Sequence, residues 1–162
     1  MRTRSRTRGT SAGTIPPMKT CLTPRLVVRD AAAAISFYCE TLGARELERL
    51  QDPTLGGIIV HSVIEFVDGA RISVIDEHRE WGNLAPRSLD ASPMLLMMEV
   101  EDPDAVANRM VKAGASAVLP IADRFYGYRE GRVRDPFGHM WILCKVIERL
   151  DAEEIQRRLD AQ

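Results

Sequence analysis

The sequence predicts an α+β fold built from two β-α-β-β-β modules, followed by a C-terminal helix. Two observations lead there. A pattern of strand, Asp cap, helix and Gly stop occurs twice, at Leu26–Asp30 through Gly43 and at Met98–Asp102 through Gly114, with the second copy 71–72 residues after the first. Each copy then runs through a short strand into a hairpin with turn chemistry, Asp68-Gly69 in one and Asp135-Pro136-Phe137-Gly138 in the other. The composition, 45% apolar and 28% charged over 162 residues, is that of one soluble globular domain.

The elements follow in order. Residues 1–17 are Arg, Ser, Thr and Gly with two prolines, a composition too polar to fold, and they are expected to form a disordered basic tail. They lack the apolar stretch of a secretory signal and share the composition of a mitochondrial transit peptide. The folded domain is expected over 18–148. Its first module spans about 20–76, with Asp30 capping a helix that ends at Gly43 and strands over 45–49, 58–66 and 71–76. A polar joining loop, 77–92, is long enough for a lid or rim. The second module spans about 93–147, with Asp102 as cap, Pro103 at the first helical position, and strands over 116–119, 126–133 and 140–145. Residues 149–162 read as a separate helix, opened by the capping-box pair Asp151 and Glu154 and by an Leu150–Ile155 staple.

Charge and cysteines narrow the function. The formal net charge of −1 hides four tail arginines, which leaves about −5 on residues 18–162 and argues against nucleic acid as a partner. No apolar run approaches the roughly 18–20 residues that span a bilayer, so no membrane partner is expected. Cys21, Cys39 and Cys144 are odd in number and far apart, which disfavours a zinc ribbon or a disulfide scaffold and fits reduced thiols in the cytoplasm.

Two stretches carry a family resemblance: Leu26-Val27-Val28-Arg29-Asp30 running to Phe37-Tyr38, and Arg134-Asp135-Pro136-Phe137-Gly138-His139-Met140-Trp141, with Phe125-Tyr126-Gly127 and Arg129 upstream. Over residues 22–146 the chain resembles the vicinal oxygen chelate superfamily, and most of all its PhnB-like glyoxalase/bleomycin-resistance subgroup. The resemblance implies a cup-shaped mixed sheet covered by helices, a small-molecule ligand inside the cup, and a homodimer whose cups form at the subunit interface. Metal-dependent relatives place four ligands on the strands. The matching positions here are Thr23, Ser73, Leu95 and Ile142, a set with no imidazole, carboxylate or thiolate, so neither a metal nor another cofactor is expected.

Alternation along the strands assigns the faces. Leu26, Val28, Ile64, Phe66, Ile72, Val74, Leu96, Met98, Val100, Val133, Trp141 and Leu143 are the apolar alternates that meet the helices. The opposite positions supply the candidate ligand-binding residues: Arg25, His61, Glu65, Arg71, Ser73, Met97, Glu99, Glu130, Arg132 and Ile142. Apolar walls with a few polar groups suit a binding cavity. Arg71 is expected to pair with Glu65 or with a bound anion and to share one cavity with His61, which reads as a ligand contact, a general base or a structural histidine. Cys144 reads as an inert buried thiol, Trp81 as a ligand-stacking or sheet-capping ring, and His139 as a residue of the hairpin rim. Two functions remain open: a metal-free protein that binds a small organic molecule, and a lyase, isomerase or transferase acting on a small carbonyl or oxyanion substrate.

Overall fold

The computed structural model describes residues 21–161, and the expected basic tail over 1–17 lies outside them. The first module consists of β1 (Arg25–Val28), α1 (Ala31–Leu42), β2 (Arg45–Asp52), β3 (Ile58–Glu65) and β4 (Arg71–Asp76). A joining segment carries the short helix α2 (Pro86–Leu89). The second module is β5 (Leu95–Glu99), α3 (Pro103–Lys112), β6 (Ser116–Asp123), β7 (Tyr128–Arg134) and β8 (Met140–Val146), and α4 (Ala152–Asp160) follows.

Each module forms its own four-stranded mixed sheet, in the order β1-β4-β3-β2 and β5-β8-β7-β6. In both sheets the first strand runs parallel to the last and the remaining pairs are antiparallel. The helix boundaries follow from capping chemistry. Asp30 and Asp102 accept from the backbone N–H groups of Ala33 and Ala105, both at 2.9 Å, and so satisfy donors that the first helical turn leaves free. Gly43 closes α1 in the left-handed conformation at φ 69°, where a side chain would be strained. Asp151 caps α4 through the Glu154 N–H at 2.8 Å, the contact the sequence points to.

The core is shared by both modules. Leu26, Val28, Ile64, Ile72, Val74, Val133, Trp141 and Leu143 are all buried, together with Ile35, Phe37 and Tyr38 from α1 and Met110 from α3. Alternation therefore reads the helix-facing side correctly in the central strands.

One polar group joins the modules inside this core. Asp135 is buried and accepts four hydrogen bonds: from Tyr38 Oη (2.7 Å), Trp141 Nε1 (2.8 Å) and the backbone N–H groups of Phe137 and His139 (2.9 Å each). Burial, with the Asp135 charge beside it, raises the Tyr38 hydroxyl well above the ordinary tyrosine range, so it stays a donor. Nearby, His139 Nε2 donates to the Val27 carbonyl at 3.0 Å. This corrects its placement at the rim: His139 is buried and ties the second hairpin to β1.

The sheet edges differ from expectation in length. β2 and β6 both extend further, and both carry register breaks against their neighbours. β7 begins at Tyr128 because residues 125–127 form the turn before it. The irregularity of this strand pair lies in β6. β7 keeps unbroken register with β8, while β6 slips around Leu119. Gly131 permits this: a Cβ there would stand 2.5 Å from the Leu119 carbonyl oxygen.

Candidate functional site

Pairing register places the candidate residues on the faces turned away from the helices. On the first sheet, Arg25 is level with Ser73, Val63 with Glu48, His61 with Leu50, and Glu65 with both Arg71 and Arg45. These positions form two polar clusters.

In the first cluster Glu65 takes both arginines. Arg71 donates to Glu65 Oε1 through Nε (2.9 Å) and Nη2 (2.7 Å), and Arg45 donates to Oε2 at 3.0 Å. The Arg71 and then the Arg45 hydrogen bonds hold the Glu65 carboxyl below the usual carboxylate range. The Arg71–Glu65 pair is the one alternation anticipates.

The second cluster centres on His61. Its Nε2 donates to Glu48 Oε1 at 2.7 Å, and its Nδ1 lies 3.5 Å from Arg25 Nη2, a long contact. A carboxylate on Nε2 fixes the proton there and turns Nδ1 into the acceptor facing Arg25. Ser73, cross-strand from Arg25, is buried, and its hydroxyl has no hydrogen-bond partner among the described residues.

The second sheet presents a different face. One cross-strand row reads Met97, Ile142, Arg132, Leu119. The next holds Glu99, Cys144 and Glu130. Tyr126 Oη donates to Glu130 Oε1 at 2.6 Å; burial, helped by that bond, pushes the Tyr126 hydroxyl up to about 12. Glu130 is buried, whereas Met97 and Glu99 are exposed. Burial, followed by the charges of Glu130 and Glu99, raises the Cys144 thiol, which fits an unreactive cysteine.

The structure does not gather all ten candidates into one hollow. A groove of about 1050 Å³ runs between the β3–β4 hairpin and the edge of β5. It is lined by Phe66, Ile72, Leu96, Met98 and Val100 from the helix-facing side and also touches Arg71, Met97 and Glu99. A smaller hollow of about 170 Å³ touches Arg25, Val27 and the joining segment. His61 lines neither of these two hollows. Trp81, in the joining segment, stacks on His78 with ring centroids 4.1 Å apart.

Sequence reasoning missed Glu48. It lies in β2, where Arg45 through Gln51 are all exposed and no alternation distinguishes the faces. Its signal is the register itself, which puts Glu48 next to the His61 row.

The donors at the four family ligand positions do not suit a metal. Leu95 and Ile142 have no donor atom, and Thr23 and Ser73 offer only hydroxyls. Among the described residues no three His, Cys, Asp or Glu side chains cluster to replace them.

Residues 20–143 match the family model of the Glyoxalase/Bleomycin resistance protein/Dioxygenase superfamily. The chain belongs to this superfamily. It is 35% identical over 144 residues to the uncharacterized protein Rv0887c of Mycobacterium tuberculosis, an alignment covering 87% of this chain and 83% of that one. Among solved structures it resembles protein PA1353 from Pseudomonas aeruginosa, with a TM-score of 0.64, 20% identity, and coverage of 79% of this chain and 98% of the other. It also resembles the fosfomycin resistance protein FosX from Listeria monocytogenes, solved with Mn(II) and sulfate. There the TM-score is 0.59 and the identity 16%, with 85% of this chain and 98% of FosX covered. At such identities the two structures speak for the fold.

Proposed function

We propose that this superfamily member binds a small organic molecule on the open faces of its sheets without a metal or other cofactor, and that a second copy completes the cups. The PhnB-like subgroup is the branch whose sequence pattern it follows best. The observation that carries the binding reading is the buried Ser73 hydroxyl, without a partner among the described residues, cross-strand from Arg25 on the polar open face of the first sheet. A buried hydroxyl without a partner costs about 1–3 kcal/mol, so a ligand that reaches it recovers that loss. The position is one where metal-dependent relatives carry a ligand, and serine cannot replace it.

Exposure supports the second copy. Leu50 and Met97 are each 58% exposed on these open faces, and β2 is exposed along nearly its whole length. Such apolar area is normally covered. A compartment with reducing conditions agrees with three unpaired cysteines, and the cytoplasm is the proposed location. No described helix is long and apolar enough to cross a membrane.

The test is a thermal-shift and calorimetric screen of small organic compounds, run with chelator and then with added zinc, nickel or manganese. Saturable binding of equal strength in both arms is expected. Binding that appears only with metal would overturn the metal-free reading.

A lyase, isomerase or transferase activity remains the second reading, favoured by the 2.7 Å Glu48–His61 bond. A histidine oriented by a carboxylate has the arrangement of a general base. Under that reading His61→Gln abolishes turnover while leaving binding largely intact. Under the first, no bound compound is consumed.

A further inference from the structure

We infer that Arg132 is the anion-binding residue of the ligand site and that the ligand carries an oxyanion, a carboxylate or a phosphate-type group, next to an apolar body. This rests on the reading that the open faces bind a small molecule, and it names the chemistry of that molecule.

The argument begins with what surrounds the guanidinium. Arg132 is half-buried, and its Nε is fully buried without a hydrogen-bond partner among the described residues. None of the ion pairs among those residues uses it. Its cross-strand neighbours are Ile142 on one side and Leu119 on the other, with Met97 beyond Ile142. Two carboxylates share the face in the adjoining row. Glu130 is already bonded to Tyr126 at 2.6 Å, and Glu99 is exposed on the edge strand β5.

An arginine cannot shed its charge, so a partly desolvated guanidinium in an apolar row needs an anion. The other half-buried arginines have found one or reach a carbonyl: Arg129 holds Asp104 and Asp123, Arg158 holds Glu148 and Glu154, and Arg124 reaches the Pro120 and Glu130 carbonyls. Of the exposed ones, Arg71 and Arg45 hold Glu65, and Arg109 reaches the Thr41 carbonyl. Among the half-buried arginines of the described residues, Arg132 alone stands in an apolar row without an acceptor. Its terminal nitrogens make no bond within the described chain and form a fork suited to two oxygens of one group. The flanking Met97, Ile142 and Leu119 then receive the apolar body of the same ligand.

The experiment uses the full chain and three probes that share a phenyl ring: benzoate, phenylphosphonate and neutral benzyl alcohol. Binding is followed by calorimetry and by the Nε–Hε resonance of Arg132 in ¹⁵N-labelled protein. The two anions should bind saturably and shift that resonance, and benzyl alcohol should bind at least about tenfold more weakly. Arg132→Met should weaken anion binding about tenfold or more, Arg132→Lys should restore part of it, and Arg134→Met, at an exposed position on the same strand, should change nothing. Whichever anion binds more tightly identifies the group as planar or tetrahedral.

Anion binding that is unchanged in Arg132→Met and shifts Arg25 and His61 resonances instead would overturn this assignment and leave the binding reading standing. Equal binding of benzyl alcohol would do the same. No saturable response to any probe would overturn both. The wild-type resonance carries the test even if Arg132→Met fails to fold.

Discussion

On the open face of the first sheet, charges are matched to one another: Arg45 and Arg71 to Glu65, and His61 to Glu48. On the second sheet one cross-strand row is apolar except for Arg132, which no carboxylate among the described residues pairs. The backbone repeat is the same in both modules, so topology does not produce this difference. Side-chain choice on one parity of each strand does. A face that satisfies its own charges is poised to be stable, and a face that leaves a guanidinium open is poised to accept something.

The sharpest way to break this comparison lies beneath both faces, in the carboxylate that joins them. Asp135→Ala should be the most damaging single change, because it strands the Tyr38 hydroxyl and the Trp141 indole N–H in the core. Two orphaned buried donors and a lost charge-assisted network imply a loss of about 3–5 kcal/mol, read from a urea midpoint. Asp68→Ala, in the exposed turn of the first hairpin, should stay within about 0.5–1 kcal/mol. Equal losses would mean that the two hairpins are interchangeable. Trp141→Ala should cost about 3–5 kcal/mol, as a buried aromatic does, and a loss below about 1 kcal/mol would reverse the assignment of the sheet's faces.

A smaller effect tests the charge matching of the first face. Glu65 titrates below its unfolded value because Arg71 and Arg45 bind the charged form. Its contribution to stability is therefore complete above the unfolded carboxylate value of about 4.3 and is lost as pH falls through the depressed native one. Arg71→Ala should raise the Glu65 pKa, seen by NMR titration of its side chain, and flatten the acid limb of the stability curve. An unmoved Glu65 titration would mean that Arg45 alone holds it. The smallest expected effect is chemical. Alkylation should reach exposed Cys21 first and spare Cys144, whose thiol is buried and raised, and rapid labelling of Cys144 in native protein would contradict that burial. Sedimentation sets the scale of all these surfaces: twice the chain mass is expected at micromolar concentration, and a monomer would leave Leu50 and Met97 bare.

Much of this architecture was legible beforehand, for physical reasons. Asp30, Asp102 and Asp151 announce helix starts because few residue types satisfy free N–H groups there. Where one face lies under the helices, as in β1 and β3, Leu26, Val28 and Ile64 reveal the parity. The Arg71–Glu65 pair followed from that parity. Edge strands give no such signal. β2 is exposed on both sides, which hid Glu48, and the slip in β6 has no mark of its own, since Gly131 on the neighbouring β7 is the residue that makes room. His139 follows a turn, where alternation restarts, and its burial depends on a carbonyl from the other module. Ser73 was legible as a face and not as a vacancy in the hydrogen-bond network, which only three-dimensional packing defines.

The buried carboxylate also bears on how a doubled fold loses its symmetry. By the repeat, the counterpart of Tyr38 on the second helix is Met110, which is fully buried. The partner of one helix is a hydrogen-bonded acid, and at the matching place on the other a thioether fills space. Two identical halves could not arrange this, since each would present the same residue to the other. Within one chain the two modules carry a lock and a plug at these places, a bonded hydroxyl and a buried thioether. A tandem of two second modules would bring Met110 where Asp135 requires a hydroxyl, and its unfolding midpoint should fall below that of the natural chain. Reversing the order of the two modules by circular permutation keeps Tyr38 with Asp135 and should largely preserve it.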